Sequence, residues 1–319
     1  MSADDKYAFP TFREGMDHGH YDWSPLNATR AKIEWPQGAR VALCVIVTLE
    51  HAEWRQPPDS YREPNFAGGY GWGPFPDVTA WSHREYGHRV GIFRVLDVLA
   101  KHGIRPTVAM DAMTADNYPF LVRHCLERGC EFAAHGIAAN RMITSRMSET
   151  EEREYIRSAI KALEQATGTM PRGWLGPGFG ESVRTPALLA QERIDYVLDW
   201  VNDEQPYRMH VPTGELHVLP VTLPIDDINA LWERHIDIDD YERMIRETFD
   251  TLYVDGAENG RVMVLSLHPF LIGQPFRIGA LDSALGHIVR HREVWRATGS
   301  EIVHHFAGPG LGGNRTAIP

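Results

Sequence analysis

Cysteine is scarce. The 319 residues contain three, Cys44, Cys125 and Cys130, which cannot all pair, so a disulfide framework is excluded and a reducing compartment is expected. Positive charge is in deficit: Lys plus Arg number 32 against 43 for Asp plus Glu, a formal net charge of −11, and no Lys/Arg block interrupts that balance. Nucleic acid and anionic membranes are therefore excluded as partners. No apolar run approaches the roughly 18 residues of a membrane span. The opening MSADDKYAFPTFREGMDHGH lacks the apolar stretch of a signal peptide, so a soluble, cytoplasmic protein is expected. No Gly-x-Gly-x-x-Gly or Gly-x-x-x-x-Gly-Lys follows an early strand and no Gly-x-Ser-x-Gly elbow occurs, which leaves dinucleotide, P-loop and serine-hydrolase chemistry without support.

Hydrophobic residues make up 43% and charged residues 24%, a globular balance. Residues 1–38 carry Pro10, Pro25 and Pro36 with little periodicity and read as an arm on the surface of the body. Residues 39–307 are expected to form one folded domain and 308–319 a Gly/Pro-rich tail. Between Arg55 and Trp81 the chain is dense in Gly, Pro and aromatic residues, the composition of a loop that covers a site.

Within the domain, apolar runs alternate with helical periodicity. Strands are predicted at 40–49, 106–110, 131–134, 173–175, 196–198, 217–219 and 261–267. Helices are predicted at 88–101 and 119–128, after the capping pattern Ser148-x-x-Glu151, across 187–191, and at 240–254 and 281–292. Such alternation implies a parallel α/β architecture. Glu50/His51, His135, Asp199/Trp200 and His268 each follow the last apolar residue of a different strand, which favours a barrel whose rim carries the site over an open sheet with one crevice.

Chemistry can be attached to those rim residues. Glu50 is a candidate general base, with His51 beside it as a possible ligand; both reach one cavity only if the strand ends there. His268 closes a core strand before Pro269 and can protonate a leaving nitrogen, with Asp199 expected to hold its useful tautomer. His135 could polarise a carbonyl or bind a metal. Trp174, Trp200 and Trp81 are candidate aromatic walls, and the amides of the turn Gly176–Gly180 a candidate site for a carbonyl oxygen.

Taken together and in order, these motifs resemble the polysaccharide deacetylase superfamily with the NodB-type fold, and within it the branch of PuuE-type allantoinases and cyclic imide hydrolases. Thr48-Leu49-Glu50-His51 stands where the deacetylases have Thr-Phe-Asp-Asp, a general base followed by a metal ligand. His135-Gly136 resembles the start of their His-x-x-x-His motif, but Ala139 stands at the second ligand, followed by Asn140. Gly173-Trp174-Leu175-Gly176-Pro177, Leu198-Asp199-Trp200 with Asp203, and Leu267 to Pro275 resemble the later motifs. The last of these, with Glu85-Tyr86-Gly87-x-Arg89-x-Gly91, matches the imide-hydrolase branch.

The resemblance implies an α/β fold, a distorted parallel (β/α) barrel, and a hydrolase of non-peptide C–N bonds in a small cyclic imide, ureide or amide. Glu50, His268 and Asp199 would be its catalytic residues, and Trp174, Trp200, Gly176, Asn140 and Trp81 would contact substrate. Deacetylation of an N-acetyl sugar polymer and a non-catalytic binder on the same fold stand as alternatives. The superfamily's zinc would have His51 and His135 as ligands, with Asn140 or Glu50 third, so the cofactor is a divalent metal or none. Relatives imply a homo-oligomer, a dimer or tetramer.

Overall fold

The structure, a computed structural model, describes residues 18–22, 30–54 and 78–308. Positions 1–17 and 23–29 of the arm, 55–77 of the expected covering loop and 309–319 of the tail lie outside the described residues. The strands are β1 (Val41–Leu49), β2 (Thr107–Met110), β3 (Glu131–Ala134), β4 (Gly173–Trp174), β5 (Tyr196–Val197), β6 (Tyr207–Arg208), β7 (His217–Val218), β8 (Arg261–Leu267) and β9 (Val294–Arg296). They pair in the order β6-β7-β5-β4-β3-β2-β1-β8, with β9 beside the start of β1. Every pairing is parallel except β6 with β7.

The sheet curls until its far edges nearly meet. Single bonds bridge the gap, from Val262 N–H to the Glu204 carbonyl (2.8 Å) and from Thr222 N–H to the Val264 carbonyl (3.0 Å). The result is a distorted parallel (β/α) barrel, as expected.

Around it lie α1 (Val78–Tyr86), α2 (Ile92–Lys101), α3 (Ala112–Asn117), α4 (Pro119–Glu127), α5 (Glu149–Thr167), α6 (Thr185–Gln191), α7 (Ile238–Asp255), α8 (Pro269–Ile272), α9 (Ile278–Val289) and α10 (Gly299–Ala307). The predicted caps of α5 are both present: Ser148 and Glu151 exchange capping-box bonds, and Gly168 ends the helix in the left-handed region at φ 75°. No described helix is long and apolar enough to cross a membrane. The arm's Arg30 pairs with Asp203, Tyr21 bridges Met209, and Trp35 is buried in the barrel floor.

Strand alternation sorts the core into two layers. Val41, Leu43, Val45, Val47 and Leu49 face the helices, while Ala42, Cys44 and Ile46 face the barrel interior. On β8, Met263, Leu265 and Leu267 face out, Val262 and Val264 in. Trp35, Tyr196, Ile302 and Val303 fill the interior at one end. The other end, where the parallel strands finish, stays open as a cavity.

Two glycines of the imide-hydrolase motif explain how α1 and α2 reach that cavity. The helix passes from α1 to α2 through a π-helical stretch, Gly87–Gly91, and there its backbone lies against α8. A Cβ on Gly91 would overlap the Pro269 carbonyl, and one on Gly87 would press on Phe270 N. The two most specific sequence motifs are thus packed against each other, directly behind His268. Gly91→Ala is expected to destabilise the fold by about 2–3 kcal/mol in urea unfolding, because backbone cannot yield as a side chain can. Gly279→Ala in α9, where nothing lies within 4 Å of the added carbon, provides the neutral comparison.

Candidate active site

The alternation that sorts the core also aims the site. Glu50 continues the inward series Ala42, Cys44, Ile46, and His268 continues Val262, Val264, Ser266; on β3, Phe132 and Ala134 face out, so His135 faces in. All three line a cavity of about 250 Å³ at the C-terminal rim of the barrel. Arg84 from α1, Asp226 from the loop after β7 and Glu233 complete its charged lining, and His83, Phe179, Trp232 and Phe270 wall it. The rings of His83, Trp232 and Phe270 lie 5.3 to 6.3 Å apart, centre to centre.

The two cavity imidazoles are held in opposite ways. His135 places Nδ1 2.6 Å from the Leu175 carbonyl, which can only accept, so Nδ1 carries the proton and Nε2 presents its lone pair. That Nε2 faces Glu50 Oε2 at 3.2 Å, and the other Glu50 oxygen pairs with Arg84. Burial holds the pKa of His135 below the ordinary value, against the opposing pull of Asp111 and the Leu175 bond. His268 donates from backbone N–H to Asp227 (2.8 Å to Oδ2), and its Nδ1 lies 2.7 Å from Asp227 Oδ1. Burial acts to lower the pKa of His268, but the charge and hydrogen bond of Asp227, with the charge of Asp226, outweigh it and raise the value. Asp226 itself is pushed up to about 6, first by burial.

Several expected roles are not met by this geometry. Asp227, not Asp199, holds His268; Asp199 follows the inward-facing Leu198, turns the other way, and accepts the Gly176 N–H at 2.8 Å. Burial raises the pKa of Asp199 to about 6, and burial together with the charge of Asp199 raises that of Glu181 beside it, at the foot of the Gly176–Gly180 turn. Trp174 faces the helices, fully buried and edge-on to Tyr155; Leu175 is the residue that meets the cavity. Trp200 donates to Glu181 and packs, tilted, against His20 and edge-on to Tyr21, outside the cavity lining. Trp81 donates to the Ala52 carbonyl, and Asn140 accepts from Glu53 N–H; neither lines the cavity. Gly176 does line it, but its amide is taken by Asp199. Arg84 and Asp227 had been given no role. Arg84 stands one residue before the Glu85 motif, and Asp227 stands in no motif of the sequence.

Residues 84–197 match the polysaccharide deacetylase family profile. A Schizosaccharomyces pombe protein described as a candidate polysaccharide deacetylase is 28% identical over 301 residues, spanning 86% of this chain and 92% of its own. Among solved structures, PuuE allantoinase superposes with a TM-score of 0.78 at 26% identity, covering 88% of this chain and 94% of its own. A Pseudomonas aeruginosa PAO1 protein named a probable polysaccharide deacetylase gives the same score and identity over 88% and 95%. Over most of its length the chain is similar to proteins of the polysaccharide deacetylase superfamily.

The superfamily resemblance implies a zinc ion, and the donors at these positions do not fit one. His51 lies just past the end of β1 and is not among the residues that line the cavity; its Nδ1 is 3.8 Å from Glu85 Oε1. Ala139 offers the cavity a methyl group where the motif's second imidazole would stand. Asn140 is buried and engaged with Glu53, and the Glu50 carboxylate is engaged by a guanidinium. A catalytic zinc takes three protein ligands, and His51, His135 and Glu50 do not converge as a set. Two other groups among the described residues cluster as ligands would. Asp226, Asp227 and His268 include the hydrogen-bonded pair above, and Asp250 on α7, His287 on α9 and His291 just past the end of α9 lie away from the cavity.

Proposed function

We propose that this protein hydrolyses a C–N bond in a small cyclic imide, ureide or related amide. One observation carries the reading: a single cavity holds two histidines whose surroundings push their pKa values in opposite directions, the signature of an assigned base and an assigned acid. Glu50 and the Nε2 lone pair of His135 converge as two acceptors, so water at that point can surrender a proton to the pair while its oxygen attacks the carbonyl carbon. His268, held as an Nδ1–H donor to Asp227, keeps Nε2 for the nitrogen that must leave as a neutral amide or amine.

The cavity volume of about 250 Å³ and its aromatic walls suit a compact planar ring, and the similarity to PuuE allantoinase over most of both chains supports the same class. Deacetylation of an N-acetylated sugar would use the same base and acid. A turnover panel of succinimide, hydantoin, other ureides and chitin oligomers tests the proposal; release of acetate from the oligomers with no opening of any ring would overturn the substrate class.

The pH profile follows from the same two groups. As pH falls, His135 protonates below its ordinary value and the base is lost; as pH rises, His268 surrenders its proton above its ordinary value and the acid is lost. The expected kcat/KM profile is a bell whose plateau includes about pH 6.5, the ordinary histidine value. A rate that rises monotonically with pH would refute the acid role.

A further inference from the structure

We infer that Arg84 is the electrophile of this site, an oxyanion- and carboxylate-binding group that receives the substrate's carbonyl oxygen during attack and the product's carboxylate after it. The inference deepens the hydrolase reading above and rests on it for the chemistry. Attack on a carbonyl moves negative charge onto its oxygen, and a preorganised donor must meet that charge.

Three amides of the turn that looked suited to the task are engaged, Gly176 N–H on Asp199, Phe179 N–H on the Gly176 carbonyl and Gly180 N–H on the Pro177 carbonyl, which leaves Gly178 N–H as a single neutral donor at the cavity, without the positive charge that a developing oxyanion calls for. His268 is committed to the leaving nitrogen, and Asp226 would repel an oxyanion. The positions at which the superfamily holds its zinc, His51, His135 and Glu50, do not converge as a donor set. Arg84 is the one permanent cation among the described residues lining the cavity. It is positioned from two sides, by the Glu50 carboxylate and by the Phe270 ring, whose centroid lies 5.0 Å from its guanidinium carbon. Burial draws its pKa down to about 10, which leaves it charged at neutral pH.

Its pairing with Glu50 places the two partners of the reaction side by side. Water bound at the Glu50–His135 pair gives up one proton there as the C–O bond forms, and the former carbonyl oxygen, now negative, lies against the guanidinium fork. On collapse the C–N bond breaks, its electron pair takes the proton of His268, and the C–O double bond is restored. The carboxylic acid so formed ionises at neutral pH, giving an anion that the same guanidinium can hold bidentately. For succinimide the balance is imide plus water giving succinamate plus a proton.

The test uses the whole chain with Arg84→Gln and Arg84→Lys, succinimide as substrate and succinamate as product probe. Arg84→Gln is expected to lose about 10²–10³-fold in kcat, with part of it restored by added guanidinium ion. Succinamate should inhibit or bind the wild type and lose about tenfold or more in affinity in Arg84→Gln, read by calorimetry. Arg84→Lys keeps the charge without the fork and should fall between, and it serves if the Gln variant does not fold.

Turnover within about threefold of wild type in Arg84→Gln, with succinamate binding unchanged, would overturn the assignment. So would one tightly held metal ion per chain whose chelation abolishes activity and whose return restores it. If the wild type opens no imide or ureide, the substrate reading fails first, and the calorimetric loss of carboxylate binding in Arg84→Gln still decides whether the anion site exists.

Discussion

Replacing Glu50 with Gln is expected to lower kcat by about 10³-fold, within the range for loss of a positioned base. KM and the fold should change little, because Gln keeps an oxygen that accepts from Arg84 and an amide of the same shape. What it loses is the ability to share a water's proton with His135 Nε2, 3.2 Å away. Glu50→Ala would be a poorer test, since it leaves a buried guanidinium without its carboxylate, and breaking such a pair costs about 3–5 kcal/mol of stability. Steady-state kinetics of the Gln variant, with circular dichroism and urea midpoints to show that it is folded, make the comparison. A variant that is folded and retains more than about a tenth of wild-type kcat would remove Glu50 from the base position.

The elements that position this site could be read in advance because each is written locally. The unbroken apolar run before Glu50 can only be a strand buried on both faces, and the matching run before His268 becomes its neighbour β8, paired from Val41–Arg261 to Val47–Leu267. Ser148 and Glu151 state a helix start in four residues. The rim residues with inward parity, Glu50, His135 and His268, follow from those strands and their two-residue period.

The same period explains the errors. His51 and Trp174 sit one position out of phase with the inward series, so residues that look suitable by type lie outside the cavity lining instead. Counting parity from the apolar positions of each strand would have excluded both, since Val47 and Leu49 set the outward phase of β1. Asp227 and Arg84 illustrate a different limit. Asp227 lies between a three-residue 3-10 turn, Leu223–Ile225, and the π-helical segment Ile228–Glu233, where no repeat indicates direction. It meets His268, 41 positions later, only because α7 and β8 return the chain to the rim. Arg84 reaches Glu50 only because glycines at 87 and 91 let the α1–α2 helix lie directly on the α8 backbone, a closeness that no spacing rule encodes.

Asp227→Asn tests the acid half of the site by charge alone. The Asn oxygen can still accept from the His268 Nδ1–H and backbone N–H, so the ring's direction is retained, but the negative charge that overcomes burial is gone. With burial left dominant, the pKa of His268 must fall. Because His268 works in its protonated form, the alkaline limb of the bell moves to lower pH, and the loss of kcat, about 10²-fold near pH 8, shrinks as pH is lowered. Stability carries the same sign. A histidine raised in the folded state contributes stability that is complete below its unfolded value of about 6.5 and disappears as pH rises through the folded value. The wild type should therefore exceed Asp227→Asn in unfolding free energy by more at pH 6 than at pH 9. Parallel pH–rate and pH–stability series on the two proteins measure both. An alkaline limb that does not move, with kcat reduced equally at every pH, would mean that Asp227 only shapes the rim and that another group protonates the leaving nitrogen.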